Sequence, residues 1–382
     1  MTVQSHPIQR HVAVVGGGIM GAMTAHSLLE SGARVTLYDP LPLTNSVNSS
    51  NDTGRSFRVH YGEDLEMMNM ALESRAMWRK MQADAGLDPE GSPWFHPCGK
   101  LLLADAGDIY AQACGIAMRG HGLLARDFSA EQATERYGFQ ADSAVLDPYG
   151  GVLSPDRILL HLAASLTARG LIRRGRAEAV DGRWVQDDGG RKSYDAVVVT
   201  AGVWAKQLLA PNTPPIDTTR QQLVYFDAAS ALGRDISHLP VFSHMESGFY
   251  GIPTRHDGFL KIANHHPGPA GHPDGDDRAV DLAFINAARK FLARYHPALA
   301  GAQVKRTHVC FYTGTRDRDF ILERTESGVI LGTGFSGHGF KFAPLIGRTL
   351  AELALDRPPS ISIERFASSR PSLYESPAVL AV

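Results

Sequence analysis

His11-Val-Ala-Val-Val15 runs without a break into Gly16-Gly17-Gly18-Ile19-Met20-Gly21, and Asp39 follows a second apolar run, Arg34–Tyr38. The first run has the unbroken apolar character of a strand covered on both faces. A helical pattern extends from Ile19 to about Glu30, and Ser31-Gly32 supplies its stop. Each part has a chemical job. Gly16 permits a tight turn. Gly18 lets backbone N–H groups approach a pyrophosphate. Gly21 lets helix and strand pack closely, and Ile19 and Met20 open the helix whose N-terminus favours phosphate charge. Asp39 can accept hydrogen bonds from a ribose hydroxyl. Strand, glycine turn, helix and acid stand in the order and at the distances that a dinucleotide-binding unit requires.

The chain has 382 residues, enough for two domains with cores of their own. Its formal net charge is -2, and it carries no basic tail or Lys/Arg cluster, which argues against nucleic acid as a partner. No apolar run approaches the roughly 20 residues of a membrane span, and residues 1–10 lack the apolar stretch of a signal peptide. Cys98, Cys114 and Cys310 are too few and too scattered for a disulfide framework or a zinc site. A reducing cytoplasm is the expected compartment.

After Asp39 the chain does not continue as regular strand–helix repeats. Pro40–Arg55 is polar and irregular. A helix is expected from about Asp64 to Ala85, with Leu65, Met68, Leu72 and Ala76 on one stripe and Met67, Met68, Met70, Met77 and Met81 as core filler. Loop and strand follow from Pro93 to Leu103, and Ser154-Pro155 opens another helix reaching Arg169-Gly170. Tyr194-Asp-Ala-Val-Val-Val199, ending in Thr200-Ala201-Gly202-Val-Trp204, reads as a buried strand returning to the first sheet. Gln221–Phe226, Gly248–Ile252 and Phe259–Ile262 alternate as strands, and a helix is expected near Asp281–Tyr295. Gly328-Val-Ile-Leu331 is a last buried strand. It enters Gly332-Thr-Gly334-Phe-Ser-Gly337-His338-Gly339-Phe-Lys341 and a closing helix from Phe342 to Leu355. The fold class is mixed α/β: a discontinuous Rossmann-like nucleotide domain (1–90, 150–215 and 318–382) with an inserted antiparallel-sheet domain (91–149 and 216–317).

Arg55-x-x-Arg58-x-x-Tyr61-Gly62, Cys310-Phe-Tyr312-Thr313 and Gly334-Phe-Ser-Gly-His338-Gly-Phe-Lys341-Phe342 carry a resemblance to a known group. From about residue 11 to about 375 the chain resembles the monomeric sarcosine oxidase and N-methyltryptophan oxidase family, within the D-amino-acid-oxidase-like flavoproteins. The resemblance implies FAD as cofactor, attached through a thioether from Cys310 to the flavin 8α carbon. Such a bond needs a thiolate, which cationic neighbours favour; Lys305, Arg306 and His308 lie close in sequence. It also implies a carboxylate clamp formed by Arg58 and Lys341, since a guanidinium grips an anion at two points and an ammonium adds a second charge. Lys341 opens a helix, where its charge opposes the dipole, so a further partner is expected for it. Arg55 matches an arginine nearer the flavin ring. Lys261 matches a lysine beside the flavin face opposite the substrate, where a buried cation stabilises superoxide. Tyr250, His265 and His338 match positions lining the pocket. Ala177, Ala201, Gly202 and Trp204, and the glycines at 334, 337 and 339, are expected against the cofactor.

The activity implied is oxidation of a small anionic amine, a secondary (N-methyl or cyclic) amino acid, by hydride transfer to flavin N5. Dioxygen is then reduced to hydrogen peroxide, and the protein acts as a monomer. A flavin dehydrogenase passing electrons to a quinone or protein acceptor is the alternative. No metal is expected: His265, His266, His272 and the acids at 274, 276 and 277 fit no ligand spacing, and Pro and Gly interrupt them. Thr53-Gly54, Ser49-Ser50-Asn51 and the turn at Gly248 depart from the family pattern, and these positions bear on the choice of substrate.

Overall fold

The computed structural model describes residues 9–87 and 94–375; of the expected Pro93–Leu103 segment, Pro93 lies outside them. The chain divides into two compact units. Of the described residues, one holds 9–51, Ile158–Thr218 and 312–375; the other holds 52–87, 94–157 and Thr219–Phe311.

The first unit is built on a six-stranded sheet ordered Ile321–Arg324, Ile330–Thr333, Ala196–Val199, His11–Val15, Arg34–Tyr38, Ile172–Arg174. Every neighbouring pair is parallel except the first. Parallel strands covered on both faces need continuous apolar runs, and Val12, Ala13, Val14 and Val15 are all buried. The Ile19–Glu30 and Ala343–Ala354 helices pack against each other. Their axes approach closely because Gly347 has no side chain: a Cβ there would lie 2.6 Å from the backbone carbon of Met23.

The second unit carries an eight-stranded sheet ordered Val304–Gly314, Asp217–Asp227, Phe259–Asn264, Phe249–Pro253, Val241–His244, Lys100–Ala104, Ser143–Asp147, Arg126–Ser129. Val241–His244 runs parallel to Lys100–Ala104; the pairings on either side of these two are antiparallel. One face packs Leu101, Leu103, Phe226, Phe242 and Ile262 against Phe291 and Leu292 of the Leu282–Tyr295 helix. The opposite face carries polar groups, including Tyr225 and Lys261.

The discontinuous α/β architecture is the one expected, but two local expectations change. The sequence reading puts residues 52–90 in the nucleotide domain; the opening segment of the first compact unit stops at Asn51, since Arg55–Phe57 pairs with Gly151–Leu153, which also pairs with Phe95–His96 inside the second unit. The Leu65–Asp84 helix buries Met67, Met68, Met70, Ala71, Ser74, Trp78 and Gln82, so that of the expected stripe Met68 is buried, Leu72 is half-buried, and Leu65 and Ala76 are exposed. Trp78, the largest side chain there, sets the buried face, and Leu65 is 47% exposed. Among the described residues no helix is long and apolar enough to cross a membrane.

Candidate functional site

In the first unit the glycine turn meets the requirements of a bound dinucleotide. Gly16 adopts φ +106°, and a Cβ there would lie 2.6 Å from the Thr200 carbonyl oxygen. A Cβ at Gly21 would lie 1.8 Å from the Gly16 carbonyl oxygen, so only glycine lets the helix start this close to the strand. The Ile19–Glu30 helix has no side-chain cap hydrogen bond and no acid in its first turn, so the positive end of its dipole is not offset by a carboxylate on its own side chains. Asp39 accepts from Gly17 N–H at 2.7 Å and Leu41 N–H at 2.9 Å, which fixes its carboxylate at the end of the second strand. Ile19 N–H donates to Ser50 Oγ at 2.9 Å. Ala177 is buried, and Ala201, Gly202 and Trp204 form the turn leaving Ala196–Val199. These residues fit an FAD pyrophosphate and ribose.

The same unit holds the glycine-rich run after Ile330–Thr333. Gly334, Gly337 and Gly339 precede the short Phe340–Phe342 turn of helix, and the Gly337 Cα lies against the Tyr312 ring. Lys341 is buried at 4% exposure; its ammonium donates to the His338 carbonyl at 2.6 Å and lies 5.0 Å from the Phe342 ring centroid. That carbonyl is a partner for the charge opposing the helix dipole. His338 Nε2 hydrogen-bonds the Arg318 carbonyl at 3.0 Å, and its ring packs on Phe320.

In the second unit the residues singled out from the sequence fall into two clusters. Lys261, on Phe259–Asn264, is completely buried, donates to Gly54 O at 3.1 Å and forms an ion pair with the Asp52 carboxylate. Arg55 Nη1 lies 3.0 Å from the same carboxylate, and Tyr225 O–H donates to its other oxygen. Burial alone would raise the Asp52 carboxyl, but Lys261 and Arg55 outweigh it and hold it well below the usual range. Lys261 is lowered to about 8: burial and Arg55 push it down while Asp52 holds it up. It therefore keeps its proton at neutral pH. His308 is lowered to about 4, by burial first.

Cys310 is buried two residues beyond His308. Burial pushes its thiol up, and Arg55, Lys261 and Arg278 pull it back. The cations acting on it are thus not those expected from sequence proximity: Lys305 pairs with Asp227 at 3.0 Å, and Arg306 lies over the Tyr225 ring at 4.0 Å. Strand alternation separates neighbours in sequence and brings in residues from other strands. Tyr250 shares the sheet face of Lys261, since Tyr250 and Ile252 alternate along one strand and Ile252 pairs with Lys261. His265 follows that lysine's strand, and its N–H donates to Gly248 O at 2.8 Å.

The second cluster surrounds Arg58. Its guanidinium donates to His60 O at 2.9 Å and stacks over Tyr61 at 4.0 Å. Although burial opposes its charge, Tyr61 and Tyr110 keep Arg58 protonated. Asp147 accepts from Val59 N–H at 2.7 Å and pairs with His60 Nδ1 at 3.1 Å. Of the loop acids, Asp276 pairs with Arg220 at 2.8 Å.

Asp52, Tyr225, Asp147 and Lys100 were not singled out from the sequence. Asp52-x-x-Arg55 is a detectable signal, an acid three residues before the arginine singled out by the resemblance. The others depend on sheet register.

Comparison with known proteins places these residues in a family. Residues 11–353 match the family of FAD dependent oxidoreductases called DAO. The chain is 28% identical over 384 residues to the monomeric sarcosine oxidase of Bacillus sp. (strain B-0618), covering 96% of this chain and 97% of that protein. It is 29% identical to the human peroxisomal sarcosine oxidase (94% and 96% covered). It is 26% identical to the N-methyl-L-tryptophan oxidase of Yersinia pestis (strain Pestoides F) (94% and 98% covered). The solved structure of a mutant of NikD, an unusual amino acid oxidase essential for nikkomycin biosynthesis, in its open form, superimposes with a TM-score of 0.81 at 21% identity, covering 94% of this chain and 97% of that one. L-proline dehydrogenase from P. horikoshii gives a TM-score of 0.81 at 20% identity over 95% and 98%. These two share the fold. The family match spans both units and nearly the whole described chain, and the protein belongs to the DAO family of FAD dependent oxidoreductases.

Proposed function

We propose that the protein is an oxidase of a small secondary amino acid, N-methyl or cyclic, converting its C–N bond to an imine while dioxygen becomes hydrogen peroxide. Bound FAD supplies the hydride acceptor and the electrons for dioxygen. The chain's own residues bind, orient and charge the site. Arg58, held flat by Tyr61 and the His60 carbonyl, offers its planar N–H pair to the substrate carboxylate. Lys341, anchored by the His338 carbonyl, adds the second cation. With the carboxylate gripped and the amine neutral, direct hydride transfer needs no strong base. Tyr250, His265 and His338 shape the cavity, and Arg55 sits nearer the flavin ring.

The observation that carries the oxidase reading is Lys261, 0% exposed and paired with Asp52. Burying an ammonium costs several kcal/mol even when it is paired, so it is retained for the field it provides. A fixed positive charge in a dry setting stabilises negative charge developing on dioxygen. Cys310 is the attachment residue: Arg55 and Lys261 favour its thiolate against the effect of burial. Three free cysteines suit a reducing cytoplasm, and the likeness to a relative named monomeric supports a monomer.

The test joins two readouts. Acid precipitation should leave the yellow in the pellet, and Cys310→Ala should release it to the supernatant. Sarcosine, proline, pipecolate and other N-alkyl amino acids should yield peroxide. Dye reduction by these amines without peroxide would establish the dehydrogenase instead and remove the role given to Lys261.

A further inference from the structure

One transverse row of the eight-stranded sheet holds a buried lysine whose amine finds no hydrogen-bond partner among the described residues. Lys261 pairs in register with Tyr225 on one side and Ile252 on the other. Phe242 pairs with Gly251, so the row continues from Ile252 to Val241; Val241 pairs with Lys100, and Lys100 with Asp147. Paired residues leave a sheet by the same face. Lys261 and Lys100 therefore stand on one face, three strand spacings or roughly 14 Å apart.

Their surroundings differ. Lys261 has Asp52. Lys100 is 4% exposed, and among the described residues it makes no hydrogen bond and no ion pair. Asp147, its register neighbour, is already engaged: its carboxylate accepts from Val59 N–H at 2.7 Å and Tyr149 N–H at 2.9 Å and pairs with His60 Nδ1 at 3.1 Å. His60, lowered to about 4 by burial, is neutral and adds no charge. Burial first, with Arg58 adding to it and Asp147 opposing, holds the Lys100 amine well below its usual range, so it takes up its charge fully only when an anion joins it. The carboxylate nearest Lys100 along the row thus has its hydrogen bonds committed elsewhere. The Lys100 stem is closely packed at its base: a Cβ on Gly150 would lie 2.6 Å from the Lys100 Cβ. A buried amine without a partner is costly unless a ligand completes it.

We propose that Lys100 determines specificity by taking a second carboxylate of the substrate, so that the preferred substrates are N-alkyl amino dicarboxylates. This rests on the oxidase reading for the reaction, in which Arg58 and Lys341 hold the first carboxylate. A dicarboxylate restores the balance of the Arg58 cluster, and an uncharged side chain of the same shape does not.

The holoenzyme is assayed with N-methylaspartate and N-methylasparagine, equal in shape and different in charge. The dicarboxylate should be favoured in kcat/KM by about 10- to 100-fold, the range of a hydrogen bond to a charged group, with most of the difference in KM. Lys100→Met should bring the ratio near unity, and Lys100→Arg should keep part of it. Calorimetric titration with thiodiacetate and methylthioacetate, neither an amine, reads the same preference without turnover, and it too should vanish in Lys100→Met. An even ratio in the wild type, or a preference that survives Lys100→Met, overturns the proposal. Oxidation of both amines with no preference defeats this site alone. Tighter thiodiacetate binding through Lys100 with no amine oxidised defeats the oxidase reading and upholds the site.

Discussion

Asp52 is the residue on which the Lys261 cluster turns. It sits between two cations and one phenol, and each of its neighbours depends on its charge. Asp52→Asn removes the counter-charge that holds Lys261 up, while burial and Arg55 continue to push it down, so the amine loses protons at neutral pH. In stopped-flow measurements the dioxygen half-reaction should slow by about 10- to 100-fold, the scale of one lost electrostatic donor. Anaerobic reduction by substrate should slow less. Stability should also fall by about 3–5 kcal/mol, because buried cations lose their counter-charge. The residue was half-legible in the sequence. Thr53-Gly54 reads as the loss of an acid before Arg55, yet the acid is present one residue earlier, and a single-residue offset in a loop conceals it. Lys100 left no such trace: a lysine opening an apolar strand looks solvent-facing until its cross-strand neighbours are known.

Elements with a strong local period were readable, and elements defined by distant pairing were not. Ile19–Glu30 and Arg34–Tyr38 match the expected spans, since a helix period and an unbroken apolar run are written within about a dozen residues. Val241–His244, Ser143–Asp147 and Arg126–Ser129 went unnoticed. Each is short, and Val241–His244 finds its neighbour Lys100–Ala104 about 140 residues earlier. Helix packing gives a sharp prediction at this scale. Gly347→Ala would place a methyl group 2.6 Å from both the backbone carbon and the Cβ of Met23, so the two helices must separate. Overpacking of this kind costs about 1–3 kcal/mol. The mutant should show a lower unfolding midpoint and, because Met23 lies on the glycine-turn helix, a lower FAD content per chain.

At the scale of the whole molecule, acid sensitivity follows from groups buried in the wrong charge state for low pH. Burial, with Arg58 adding to it and Asp147 opposing, holds His60 at about 4; an unfolded histidine titrates near 6.5. Between those values the unfolded chain binds a proton that the folded chain refuses, so stability rises with pH across the window and drains away as pH falls from 6.5 to 4. The loss approaches about 3 kcal/mol for this one group. Asp52 and Asp147, both held below the usual carboxylate range, extend the loss to still lower pH as they are forced to protonate. His60→Asn, which keeps a donor toward Asp147 but cannot titrate, should flatten the dependence of the melting temperature on pH between 4 and 6.5. The order of strands in the six-stranded sheet has its own consequence for synthesis. His11–Val15 is flanked by Arg34–Tyr38, made almost at once, and by Ala196–Val199, whose other neighbour is Ile330–Thr333. A nascent chain leaving the ribosome therefore holds the glycine turn with one side of its strand unmatched until Ala196–Val199 has been made. The sheet closes only when Ile330–Thr333 follows, and during that wait the exposed valines are the segment most in need of a chaperone.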